Sequence, residues 1–252
     1  AAKNFCDLFP PPSTPKSLSS SGVVPATMIV SQLRNDMHAD VNERVVLETQ
    51  SVPWLATADR EGACKPLDSL EAGAGTTSLV RAPAGAVLAP PGSALGEEIL
   101  VLDGTLTDAR GVWTAGAYLR NPPGSDVTLH SEAGCMLFVK RYPFGAEDGA
   151  VVRLDTASMQ WLPGLVPGLA VMPLHQHAGE HAALVRWQPQ TFFQSHAHFG
   201  GEEILVLDGV FEDEFGRYPA GSWLRSPHMS RHQPFSREGC TIFVKVGHLG
   251  VG

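Results

Sequence analysis

GEEILVLDG stands at residues 96–104 and again, letter for letter, at 201–209. The repetition continues outward from these nine residues. At a constant offset of 105, Leu79-Val80-Arg81 matches Leu184-Val185-Arg186, Leu119-Arg120 matches Leu224-Arg225, and Gly134-Cys135 matches Gly239-Cys240. Phe138-Val139-Lys140 likewise matches Phe243-Val244-Lys245, and Leu47 and Trp54 match Leu154 and Trp161 at an offset of 107. A period above 100 residues is too long for a solenoid, so each copy is a whole domain.

Each copy reads as β-structure. EILVLDG has strand character and is expected to stop at Asp-Gly, a hairpin signal. MLFVKRY (136–142) and TIFVKV (241–246) follow glycines as short strands. With 26 Gly and 20 Pro in 252 residues, turns recur often enough to favour a sandwich or small barrel over long helices. Only a stretch near 28–38 hints at a helical period. Residues 1–36 are expected to form a flexible Pro/Ser-rich leader, 37–147 a first domain and 148–252 a second.

The 43% apolar content suffices for buried cores. A net charge of −8, with no stripe of Lys or Arg, argues against nucleic acid as a partner. The absence of an 18-residue apolar run argues against a membrane-spanning helix. The four cysteines form no CxxC pair, and Cys135 and Cys240 occupy equivalent places in different copies. Free thiols in a cytoplasmic protein are therefore expected. A small-molecule substrate is the expected partner, with a homo-oligomer left open.

The copies differ in their chemistry. His196 and His198 are two residues apart, so on a strand they share a face. Gly200-Gly201 permits a turn, Glu202 follows, and His232 comes later, after Pro227. Imidazole nitrogens with a carboxylate form a donor set that divalent transition metals accept, and the lack of cysteine disfavours Cu(I) and iron–sulfur clusters. The first copy has Pro91, Ser93, Glu97 and Val127 at these places. One carboxylate does not hold a transition metal, so the first domain is expected to bind none. Glu203 should point away from the histidines by strand alternation. The cluster His175, His177 and His181 is read as a solvated loop, with a second metal site or an entrance lining as the alternatives. His38, His130 and His248 are read as surface residues, and His228 as a rim residue. Arg120 and Arg225 are read as structural ion-pair partners, because one of them belongs to the copy without ligands. Trp187, Phe192 and Phe193 are expected in the core, with one of them lining a cavity as the alternative.

The pattern His196-x-His198-x3-Glu202-x6-Gly209, followed by Gly221-x5-Pro227-x4-His232, resembles the two motifs of the cupin superfamily. Gln190 stands where a glycine usually opens the first motif. Within the superfamily, GGEEILVLDGVFEDEFGRYPAGSWLR, SREGCTIFVK and RVVLETQSVPWL are similar to the ChrR-like cupins, over about residues 37–248. The resemblance implies an all-β chain of two tandem jelly-roll barrels, a bicupin. It also implies one divalent metal on His196, His198, Glu202 and His232: Fe(II) or Zn(II), with Mn or Ni as further options. One implied function is a metal-dependent oxygenase, a dioxygenase for example, acting on a small oxygen-bearing organic substrate. Acetylacetone-cleaving relatives use three histidines, however, and here a glutamate joins. The other is a non-catalytic zinc-binding sensor, lacking the HxxxCxxC segment of ChrR-type anti-sigma factors. No catalytic residue is named by the pattern.

Overall fold

The computed structural model describes residues 38–56, 62–70, 75–88, 95–145 and 147–249. The leader, the hinted helix up to residue 37, Cys6, Pro91 and Ser93 lie outside them. The described residues are all-β apart from one 3-10 turn, Thr156–Ser158. No helix among them is long and apolar enough to cross a membrane.

The described residues form two sheets of ten strands with the same order, and one separate two-stranded ladder. In the second copy, Glu202–Asp213 lies between Ser222–Ser226 and Cys240–Val246, with Glu180–Trp187 and Leu169–His177 beyond. In the first, Gly96–Asp108 lies between Tyr118–Asn121 and Cys135–Tyr142, with Gly75–Ala82 and Ala63–Leu70 beyond.

At one edge of each sheet the outermost strand belongs to the other copy. Val45–Glu48 pairs antiparallel with Ser222–Ser226 of the second sheet, and Val152–Leu154 pairs with Tyr118–Asn121 of the first. The exchange satisfies backbone groups that a free sheet edge would leave open. Arg225 holds the incoming segment by donating to the carbonyls of His38 and Asp40 at 2.7 and 2.6 Å.

The repeated nine residues are buried on both faces. Ile99 and Val101 fill the first barrel, and Ile204 and Val206 the second. Leu100 and Leu205, on the opposite face, join a third core between the barrels, with Leu102 and Leu207 packed against it. Phe138 and Phe243, counterparts in the repeat, meet there edge to face at 5.4 Å. Charges cross the same interface reciprocally. Lys140 of the first copy reaches Glu203 of the second at 2.6 Å, and Lys245 of the second reaches Glu98 of the first at 3.0 Å. Burial opposes ionisation of both carboxylates, but the lysines outweigh it, aided by Arg120 at Glu98 and by His248 at Glu203. Glu98 is held down at about 2, and Glu203 is also lowered.

Several expectations change here. The strand does not end at Asp-Gly: Glu202–Asp213 runs through Gly209, where a bulge between Val206 and Asp208 bends it. Gly209 has φ +71, and a Cβ there would lie 2.0 Å from the Gly239 carbonyl oxygen, so the glycine serves a strand bend and not a hairpin. His248 is no surface residue: its side chain is 2% exposed and Nε2 contacts Glu203 at 3.1 Å. His175 and His177 lie on one strand and His181 on the next, not on a loop, and His175 is half-buried against Asp148. Phe192 is exposed, whereas Trp187 is buried. The ion-pair reading of the arginines holds, since Arg120 contacts Glu98 and Asp148 while Arg225 contacts Asp68 across the interface. Cys64, Cys135 and Cys240 are buried, and Cys135 and Cys240 are free thiols.

Candidate metal centre

A short ladder brings the histidines together: His196–Ala197 pairs with Arg231–His232, placing His196 opposite His232. His198 follows one residue beyond this strand, and its ring centroid lies 4.5 Å from that of His196. The three residues offer nitrogens that all lie within 4.8 Å of one another. Glu202 opens the long strand, with its carboxylate oxygens 3.5 Å from Nε2 of His198 and from Nε2 of His232. Glu203 points the other way, into the inter-barrel interface, as alternation requires.

The protonation pattern favours inward lone pairs. His196 Nδ1 lies 3.0 Å from the Gln194 carbonyl oxygen, which can only accept, so Nδ1 carries the proton and Nε2 is the free donor atom. His232 Nδ1 faces Asp213 at 3.4 Å, which likewise leaves Nε2 toward the cluster. His198 Nε2 and His232 Nε2 are 3.0 Å apart. Two nitrogens so close require a hydrogen or a cation between their lone pairs. That spacing also fits adjacent ligands on an ion with bonds of about 2.1 Å.

Burial, reinforced by the neighbouring imidazoles, lowers His198 to about 3 and keeps it neutral. Burial lowers His196 too. Burial also works against charge on His232, yet Asp213 and Glu202 outweigh it and its pKa is raised. Glu202 is pushed up to about 7 by its burial. The donor set therefore fits a divalent transition metal.

Supporting groups that the sequence did not single out surround these four. Asp213 accepts from the Tyr218 hydroxyl and from the backbone N–H of Phe215 and Gly216, and pairs with Arg44 at 2.9 Å. Arg44 directly precedes the exchanged strand, so the first copy helps orient a histidine of the second. The clue available in sequence was Asp213 recurring as Asp108 at the repeat offset. Asp108 also pairs with an arginine of an exchanged strand, Arg153, at 2.7 Å.

A cavity of about 130 Å³ opens beside His196, Glu202 and His232. Its other walls are apolar, among them Leu169, Val185, Trp187, Phe193 and Ile242. In the first barrel Glu97 is engaged by Asn121 and Arg141, and Val127 packs on the apolar core. Among the described residues the three histidines are the one such group of potential ligands. Gln190 holds φ +60, which accounts for the glycine of related motifs: the turn needs a left-handed residue.

Comparison with known proteins agrees with this architecture. The protein YlbA from E. coli superposes with a TM-score of 0.68 at 14% identity, covering 88% of this chain and 98% of that one. Oxalate decarboxylase from Lactobacillus farciminis gives 0.60 at 12% identity over 82% and 87% of the two chains. Salicylate 1,2-dioxygenase from Pseudoaminobacter salicylatoxidans gives 0.61 at 9% identity over 89% and 86%. At these identities the likeness concerns the fold alone. No curated protein matches. The ChrR cupin-like domain, in contrast, matches residues 42–145 and again 150–250. With nearly its whole described length accounted for by that domain twice over, this chain belongs to the ChrR cupin-like family as a bicupin.

Proposed function

We propose that this bicupin is a metal-dependent enzyme of the oxygenase type. In this reading His196, His198, Glu202 and His232 of the second barrel hold one divalent transition metal, and a small oxygen-bearing organic molecule is the substrate. The observation that carries it is the convergence of three imidazoles and a carboxylate on the wall of an apolar cavity. The ion would supply Lewis acidity and open positions for substrate oxygens, and Fe(II) would add redox chemistry toward dioxygen.

The protein's own contributions follow from the geometry. The Gln194 carbonyl and Asp213 fix the imidazoles with Nε2 inward. Leu169, Val185 and Ile242 exclude water from the cavity and so strengthen every polar contact within it. Before the ion binds, burial pushes Glu202 up to about 7, so binding would displace its proton and leave the carboxylate as a ligand. The cavity volume also limits the substrate: an apolar cavity of about 150 Å³ holds benzene, so the enclosed part has roughly six non-hydrogen atoms. Fold neighbours that are a dioxygenase and a decarboxylase are in keeping with this reading.

Family membership favours a second reading, a zinc-binding sensor without turnover. With zinc, four protein ligands would close a tetrahedron. Metal analysis of protein purified without added metal, joined to oxygen uptake on diketones and hydroxyketones, separates the two. Iron with substrate-dependent oxygen uptake supports the enzyme. Zinc without turnover refutes it in favour of the sensor.

A further inference from the structure

On the other side of His232 lies a recess of about 230 Å³, and its wall chemistry differs from that of the apolar cavity. Arg44 and Arg231 line it together with Ser226 and Ser230, and no carboxylate is among the described residues of its wall. Arg44 is held in place: its Nη2 donates to Asp213 at 2.9 Å and to the Tyr218 hydroxyl at 2.7 Å, and the Phe215 ring lies 4.7 Å from its guanidinium carbon. A guanidinium has five N–H donors, so three remain without partners among the described residues. Arg231 has no ion-pair partner among the described residues. The hydroxyl of Ser230 is buried and makes no hydrogen bond there. A buried hydroxyl without a partner is destabilising, a cost that a bound acceptor would remove.

A fixed guanidinium with spare donors, a second unpaired guanidinium and an orphaned hydroxyl complement a group that is negative and rich in acceptors. We propose that this recess binds a small oxyanion, a carboxylate or phosphate group, separately from the metal cavity. Its position gives it a route to the metal centre. Arg44 also pairs with the Asp213 carboxylate that orients His232, so an anion on Arg44 competes for the charge that steadies that carboxylate. The inference does not rest on the proposed reaction, because the recess is complete without any metal.

Isothermal titration calorimetry of the full chain, metal-free and at low ionic strength, tests this with inorganic phosphate and acetate as separate probes. The expected result is saturable one-to-one binding of at least one probe with a Kd of about 1 mM or tighter. Arg231→Gln, a change at an exposed side chain, should weaken it at least tenfold, and Ser230→Ala should weaken it by a smaller factor. His198→Ala, which disables the metal cluster, should leave it unchanged. Binding of phosphate alone would assign a phosphate group, and binding of both probes an oxyanion of either kind. No saturation by either probe at tens of millimolar, or equal affinity in wild type and Arg231→Gln, would overturn the proposal. Loss of binding in His198→Ala would do the same by assigning the heat to the metal cluster.

Discussion

Asp213 touches no substrate cavity, yet it decides which way His232 faces, because its carboxylate fixes the Nδ1 side of that ring. Asp213→Asn keeps the shape and removes the charge. Metal affinity should fall about 10- to 100-fold, as measured by competition with a chelating dye. Protons compete with the metal at Glu202, pushed up to about 7, and at His232, also raised. Both ligands must lose protons to bind, so affinity should rise from pH 6 to pH 8 in the same assay. A flat profile would contradict the ligand assignment. At this scale the sequence was largely readable. The spacing His-x-His-x3-Glu keeps three donors close together across the Gly200-Gly201 turn, and period-2 alternation separated Glu202 from Glu203. Asp213 and Arg44 were not readable as a pair, since they lie 169 residues apart and meet only through strand exchange.

Each long central strand carries two faces of burial, and the charged residues at its ends lock across the interface. Lys140→Met would leave Glu203 buried with only His248 and Trp223 as partners. Loss of one member of a buried pair costs roughly 3–5 kcal/mol, to be read from urea denaturation. Phe138→Ala opens the shared core at the Phe243 contact and should cost about 3–5 kcal/mol in the same experiment. The repeated EILVL predicted strands correctly, but Asp-Gly misled. A glycine at positive φ serves a bulge as well as a hairpin, and only the approach of the Gly239 carbonyl distinguishes them. His248 was misread for a related reason. Lying just past the last strand gave no sign that its ring turns inward to Glu203.

At the scale of the whole molecule, the barrels share a core and exchange their first strands, so neither has a complete surface alone. Thermal unfolding followed by calorimetry should show one cooperative transition, and two resolved transitions would contradict the shared core. Acid should weaken it in two stages. Burial lowers His248 to about 4 from a usual 6.5, so the folded state resists a proton that the unfolded chain accepts, and stability falls as pH drops from about 6.5 to 4. Glu98, held at about 2, then adds its loss as pH drops from about 4.5 to 2. The two-copy organisation was plain in the sequence because internal repetition is local in register. The exchange was not, because RVVLETQSVPWL reads as a strand whichever sheet it joins.

The central proposal is that the second barrel holds one metal ion and the first none. Elemental analysis of the purified full chain after saturation with Fe(II) or Zn(II) and desalting measures it directly. One equivalent per chain is expected, falling to near zero in His198→Ala and unchanged in Glu97→Gln. Two equivalents, or one equivalent that survives His198→Ala, would contradict it.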